Sequence, residues 1–228
     1  MLQYSESLVY EKFPPCFNKL RQREFELIKQ NIIEVKYKKG ETIYKQGMFI
    51  SRIIYLVKGL VKVYFKGVNN KNLIFKIIKP YDFIGLSSLY GEKYYHYSVT
   101  TLINTTICLI KKDVISKLIY NNNDFALEII KWYCMNDSLI FSKLTNISYK
   151  STYARIADSL LYLNKVFDNK NIIPLVKRKD IAELSGISVE SAVRSLSKFK
   201  NEGIINTYGK NIEIVNEKLL EEISIKGY

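Results

Sequence analysis

In the run ISVESAVRSLSKF, Glu190 and Arg194 stand four residues apart and Val189 lies just before them. On a helix that spacing puts Glu190 and Arg194 on one face. The three side chains suit the edges of base pairs. A guanidinium can donate two hydrogen bonds to guanine O6 and N7, a carboxylate can accept from cytosine N4, and valine can touch a thymine methyl group. Lys177, Arg178, Lys179, Ser188, Ser191, Tyr208 and Lys210 surround them and suit phosphate oxygens, contacts that position a protein without reading sequence. The competing reading of Glu190 and Arg194 is an ordinary solvated salt bridge along one helix.

The elements that must position this set are legible on either side. A first helix buries Ile181, Ala182 and Leu184, and Gly186 supplies a turn whose left-handed backbone is cheap for glycine. Ser188 is placed to cap a second helix. On it Ala192, Leu196 and Phe199, at i, i+4 and i+7, form the stripe that packs inward. A turn at Gly203 follows, then two short strands joined through Gly209. Helix, turn, helix and a small β-hairpin form a unit that enters the major groove of DNA in many proteins. Before it, Thr152 to Phe167 reads as a helix with Ile156, Leu160, Leu161 and Leu163 apolar, and Asp168-Asn169-Lys170-Asn171 as a turn. After it, Asn216 to Ser224 reads as a short amphipathic helix.

Upstream, apolar positions at Leu20, Phe25, Leu27, Ile28 and Ile32 predict a helix over 19–35. Short β-rich runs follow: Ile53 to Val57, Leu60 to Phe65, Leu73 to Ile78, Ser98 to Leu102 and Thr105 to Ile110. Turn residues such as Gly59, Asn69-Asn70, Pro80 and Gly91 separate them, which predicts a barrel or roll. Asp113 is placed to cap a helix reaching about Ile119. From Asp124 to Ile147 the pattern is a seam: Ala126, Ile130, Tyr133, Asp137, Ile140, Leu144 and Ile147 alternate in steps of four and three, as in helices that pair with another helix. Self-pairing in a homodimer is preferred over packing on the chain's own roll, because so long an exposed seam is an aggregation liability. Asp137 is the one charged residue on it. The polar stretch Asn146 to Lys150 predicts a hinge. The domains expected are 1–123, 124–148 for the seam helix and hinge, and 149–228.

The net charge of +13 invites a nucleic-acid partner, but residues from 149 onward hold 13 Lys+Arg against 10 Asp+Glu. Most of the excess lies away from the candidate DNA-reading unit, so placement rather than total charge carries the argument. No apolar run approaches the roughly 18 residues of a membrane span, and the N-terminus lacks the basic-then-apolar pattern of a secretory signal. Cys16, Cys108 and Cys134 are odd in number and far apart, which suits reduced thiols and a cytoplasmic location.

The order of parts resembles the CRP/FNR family of bacterial transcription regulators over nearly the whole chain. KKGETIYKQG at 38–47, IIYLVKGLVKVY at 53–64 and DFIGLSSLY at 82–90 look like the family's sensor β-roll, the seam helix like its dimerisation helix, and RKDIAELSGISVESAVRSLSKFKNEGII at 178–205 like its winged helix-turn-helix. The resemblance implies an α+β fold: an N-terminal cyclic-nucleotide-binding-like β-roll, a long dimerisation helix and a C-terminal winged helix-turn-helix. It implies that Glu190 and Arg194 read bases and that Ser188, Ser191 and Lys210 meet phosphates. Val189 is the FNR-like choice and favours a TTGAT-like half-site, although Val193 replaces a serine that FNR-like members often use.

The sensor end departs from the family's cyclic-nucleotide pattern. Gly85-Leu86, followed by Ser87, stands where a Gly-Glu pair would hold a ribose, and His96-Tyr97, or the shifted Ser98, where an Arg-Ser pair would hold a cyclic phosphate. The seam helix offers Ile140 and Phe141 instead of small hydroxyl residues. A phosphate without its guanidinium loses a bidentate charged contact, so cyclic AMP is not expected. An iron–sulfur cluster, which needs about four thiolates, is not expected from three scattered cysteines. His96, the single histidine, is the one candidate haem ligand; an ordinary loop residue is the preferred reading. No metal is expected.

The leading reading is a non-enzymatic homodimeric transcription regulator, an activator by family habit, that reads a near-palindrome in double-stranded DNA. Its expected partners are a second copy of itself and RNA polymerase, with a small-molecule effector of unknown identity in the roll and no membrane. The alternatives are a regulator that needs no effector and a cupin-like enzyme on the same roll. One histidine weighs against the enzyme, because such catalysts use several histidine and carboxylate ligands. The cyclic-nucleotide-binding adaptor without DNA function is disfavoured by the basic run at 177–179 and the polar face at 189–194.

Overall fold

The computed structural model describes residues 15–68, 71–168, 172–174 and 176–227. The N-terminal stretch read for a signal and the turn residues Asn69-Asn70 and Asn169 to Asn171 lie outside them. The chain divides into two compact units: residues 1–61 with 78–138, and 62–77 with 139–228.

In the first unit β1 (Ile32–Tyr37), β3 (Arg52–Lys58), β6 (Phe83–Ile84) and β8 (Thr105–Lys111) form one antiparallel sheet in the order β1-β8-β3-β6. β8 is central, with Ile110 opposite Ile32 on one side and Ile53 on the other. β2 (Thr42–Tyr44) pairs with β7 (Ser98–Thr101). Ile53, Tyr55, Phe83, Cys108 and Ile110 meet Phe17, Ile28, Val114, Ile115, Leu118, Phe125 and Ile129 in one core. The last seven come from a 3-10 turn (Pro15–Lys19), α1 (Gln22–Lys29), α2 (Lys112–Asn121) and the start of α3 (Asn123–Tyr149).

Three local expectations are corrected. The helix predicted over 19–35 stops at Lys29, because Ile32, Ile33 and Val35 belong to β1, where pairing with β8 outweighs their helical spacing. Asp113 does not cap α2. Lys111 holds the cap position and Asp113 lies inside the first turn, where a carboxylate favours the helix dipole. The hinge predicted at 146–150 is narrower, since α3 stays helical through Tyr149 and the chain breaks at Lys150-Ser151. Ser151 then caps α4 (Thr152–Val166) by accepting the Ala154 N–H at 3.2 Å.

The second unit holds β4 (Val61–Lys66, from Lys62) and β5 (Asn72–Ile78, through Ile77), the C-terminal part of α3, α4, and the elements that follow. These are β9 (Ile172–Ile173), α5 (Arg178–Ser185), α6 (Val189–Asn201), β10 (Ile205–Tyr208), β11 (Asn211–Ile214) and α7 (Glu217–Lys226). β9, β10 and β11 make a three-stranded sheet in the order β10-β11-β9. Among the described residues, no helix is long and apolar enough to cross a membrane.

Candidate nucleic-acid interface

The helix-turn-helix is built as its sequence predicts. Ile181, Ala182 and Leu184 of α5 are buried, as are Ala192, Leu196 and Phe199 of α6. Between the helices Gly186 adopts φ 65°, and a Cβ there would also press on Leu73 at 3.4 Å. The Ser188 hydroxyl accepts the Ser191 N–H at 3.1 Å and starts α6. Asp180, in the first turn of α5, accepts the Lys177 N–H at 3.2 Å.

With its apolar stripe committed inward, α6 leaves Val189, Glu190, Val193 and Arg194 exposed. Glu190 and Arg194 share that face, but their direct brace is not what orders them. The Arg194 Nη2 lies 3.4 Å from the Ser191 hydroxyl. The Glu190 carboxyl is held below its usual range chiefly by its own backbone N–H and the Ser188 hydroxyl, with a smaller contribution from the Arg194 charge. The carboxylate therefore stays ionised, and the guanidinium keeps its other N–H donors for an outside partner. Lys177 and Lys179 are exposed and Arg178 is half-buried; Lys179 comes within 3.8 Å of Glu183. In the wing, Tyr208 and Lys210 are exposed around the turn that pairs Tyr208 with Asn211.

Three further residues adjoin this face. Thr152 and Tyr153 of α4 and Lys198 line an open cleft with Ser191 and Arg194. The Tyr153 ring stacks on Phe199 at 4.2 Å, the Lys198 Nζ lies 4.5 Å above that ring, and the Tyr153 hydroxyl donates to Glu202. Lys198 was detectable in principle, being four residues beyond Arg194. Tyr153 was not, because only the packing of α4 on α6 brings it there.

Of the effector candidates, Gly85 and Tyr97 come together, the Tyr97 hydroxyl hydrogen-bonding the Gly85 backbone. Gly85 takes φ 87° and sits 3.4 Å, as an ideal Cβ, from the Tyr95 ring. Leu86 belongs to the hydrophobic core, Ser87 is exposed, and the buried Ser98 hydroxyl accepts the Gln46 N–H at 3.0 Å. His96 is exposed, 3.7 Å from Glu92. Tyr97 is half-buried beside a tight stack of Tyr44 on Tyr95, whose ring centroids are 3.4 Å apart. Ile140 and Phe141 are 42% and 63% exposed and lie in the other compact unit. Cys16 and Cys108 are core residues whose thiols burial pushes up to about 12, which keeps them protonated; Cys134 is exposed.

Along α3, Phe125 and Ile129 face the core of their own unit, whereas Ile130, Tyr133, Asp137, Ile140 and Leu144 are exposed and Ala126 is half-buried. Most of the seam is thus exposed in the single chain. Ile147 departs from it and lies in the wall of a cavity within the second unit.

Residues 34–122 match the model of the cyclic nucleotide-binding domain, and residues 154–223 that of the Crp-like helix-turn-helix domain. The chain is 26% identical over 184 residues to the cAMP-activated global transcriptional regulator CRP of Salmonella typhimurium, covering 78% of this chain and 88% of that one. It is 25% identical over 188 residues to the transcriptional activator protein FnrA of Stutzerimonas stutzeri, covering 78% and 75%. In fold it is similar to FixK2 from Bradyrhizobium japonicum, with a TM-score of 0.76 at 21% identity over 84% of this chain and 96% of that one. TTHA1359, a CRP/FNR-family transcriptional regulator from Thermus thermophilus, gives 0.70 at 16% identity over 86% and 100%. A cyclic-nucleotide-binding-type roll, a long helix and a helix-turn-helix in that order, matched by both family models and by these relatives, make the chain a member of the CRP/FNR family of DNA-binding transcription regulators.

Proposed function

We propose that the protein is a homodimeric, cytoplasmic, non-enzymatic regulator that reads a near-palindromic DNA site through Val189, Glu190 and Arg194. The observation that carries this reading is the division of α6: Ala192, Leu196 and Phe199 are buried, and the opposite face presents an ionised carboxylate and a guanidinium to solvent. Ser188, Ser191, Lys177, Arg178, Lys179, Tyr208 and Lys210 supply phosphate contacts that set register. The exposed stripe Ile130, Tyr133, Ile140 and Leu144 supports self-pairing. Two recognition helices would then enter successive major grooves about 34 Å apart. RNA polymerase is the further partner in this reading, and the relative named as an activator supports it.

The roll does not fit cyclic AMP. Leu86 is core where a carboxylate would be needed, and His96-Tyr97 offers no guanidinium for a cyclic phosphate. Nor does it fit haem through His96, which is exposed at the surface beside Glu92. A second reading follows from the tyrosines. With Tyr44 stacked on Tyr95 and Tyr97 alongside, the roll fills its own interior, and the regulator binds DNA without an effector there.

Sequencing the genomic fragments retained by the purified protein, with and without cell extract, tests both. A shared near-palindrome in both conditions supports the effector-independent regulator, and one that needs extract supports the effector-controlled form. No enrichment in either condition refutes sequence-specific binding.

A further inference from the structure

The second unit contains a half-open cavity of about 110 Å³ among β5, α3, α4 and α5. Its walls are mainly apolar, with Phe75, Leu139, Ile147 and Leu184 as the large side chains. Three cationic residues line it: Lys76, Lys143 and Arg155. Arg155 spends its Nε on the Lys150 carbonyl at 2.9 Å, and its terminal nitrogens have no protein partner among the described residues. Lys143 spends one of its three N–H donors on the Leu184 carbonyl, at the end of α5 where helix carbonyls lack intrahelical partners. The one carboxylate in the lining, Asp158, is already neutralised by the Lys150 Nζ at 2.8 Å. Arg155 and Lys143 thus each keep donors unspent beside a largely apolar wall. Burial pulls the Lys143 ammonium down to about 8, partly offset by the charge of Asp158, as befits a cation short of a counter-charge.

We propose that this cavity is a binding site for a small monocarboxylate with a short apolar body, its carboxylate held by Arg155 and Lys143 and its body against Phe75, Leu139, Ile147 and Leu184. A closed cavity of about 150 Å³ takes a benzene ring of six non-hydrogen atoms, so about 110 Å³ encloses roughly four or five, and the half-open mouth admits the rest of a short ligand. The apolar lining disfavours a polyanion, which would need donors on every side, and a planar carboxylate matches a guanidinium in bidentate fashion. Because Leu184 and Ser185 end the first helix of the DNA-reading motif, an occupant would touch the element that positions α6.

The test uses the full chain, with hexanoate and benzoate as probes and hexanol and benzyl alcohol as neutral controls, read by saturation-transfer and protein-observed NMR. The acids should bind with dissociation constants on the order of a millimolar or below, as expected for ligands this small. The alcohols should bind roughly tenfold more weakly or worse, having lost the charge-assisted hydrogen bonds. Arg155→Gln and Lys143→Gln should each weaken acid binding by about tenfold. Leu139→Trp leaves both cations in place, fills the mouth and should abolish binding, so the outcome does not depend on the stability of the Lys143 variant. Equal binding of acids and alcohols, unchanged acid binding in Arg155→Gln, or no saturation transfer from either acid would overturn the proposal. None of these readouts involves DNA, so failure here leaves the regulatory reading untouched.

Discussion

Replacing Lys62 by methionine should loosen the first helix of the DNA-reading motif more than any surface change of similar size. The Lys62 Nζ lies 2.6 Å from Asp180 Oδ1 and 3.2 Å from Glu183 Oε2, with the three side chains only 15%, 11% and 7% exposed. Burial alone would lower the lysine pKa, but the two carboxylates outweigh it and raise it. Removing one partner of a buried ion pair costs about 3–5 kcal/mol, because the remaining charge is stranded. Here Asp180 keeps the Lys177 N–H, and Glu183 keeps Asn72 at 3.1 Å and Lys179 at 3.8 Å, so the lower end, about 3 kcal/mol, applies. At about 1.4 kcal/mol per factor of ten, amides of α5 should exchange on the order of a hundredfold faster, as measured by hydrogen-exchange mass spectrometry. The sign of the pH effect follows. In the parent the lysine contribution is complete below the unfolded lysine pKa and is lost only as pH rises through the higher folded value. The triple variant Lys62→Met, Asp180→Asn, Glu183→Gln strands no charge and should recover most of the loss. Exchange within about threefold of the parent in Lys62→Met, or a triple variant as loose as the single one, would refute the reasoning.

Arg194→Ala should cost about 1–3 kcal/mol on the preferred site and relax selectivity at one base pair, whereas Lys210→Ala should weaken all sequences alike and flatten the salt dependence by about one phosphate; competition binding across salt concentrations separates them. Equal losses on all sequences for both variants would overturn these roles. Leu144→Glu, at a position 58% exposed on the seam, should leave the fold intact and shift sedimentation toward the monomer; an unchanged sedimentation coefficient would remove α3 as the dimer contact. Lys143, whose folded pKa is lowered to about 8, is penalised when protonated. Stability should therefore rise from about pH 8 toward the unfolded lysine value near 10.4, and Lys143→Met should abolish that rise in a urea titration series.

The DNA-reading unit was legible because its determinants are local. A glycine at a left-handed position, a serine cap and a four-residue spacing each act within one or two turns of chain. The five strands read from β-rich runs were legible for the same reason. What escaped notice depends on partners far away in sequence. Ile32, Ile33 and Val35 fit a helical stripe until β8 claims them. β2 and β6, of three and two residues, are too short to show any period. The tie between Lys62 and α5 spans 118 and 121 positions, and no pattern near either end announces it. The cavity joins Phe75 to Arg155 and Leu184 from three separate elements, and its α3 wall combines Leu139 and Lys143, one step aside from the seam that the same helix advertises, with Ile147, the seam's last position.

Trp132 is the single tryptophan of the chain, and its Nε1–H donates to Asp82 Oδ1 at 2.5 Å. Its ring meets Phe83 edge-on at 6.5 Å and touches Tyr133, a seam residue, at 5.3 Å. The protein therefore carries its own fluorophore at the junction between the roll and the seam. Its emission needs no label, its colour responds to whether the indole keeps its carboxylate partner, and energy transfer from Tyr133 depends on the spacing of the two rings. A shift of α3 against β6 would change the light this molecule gives off.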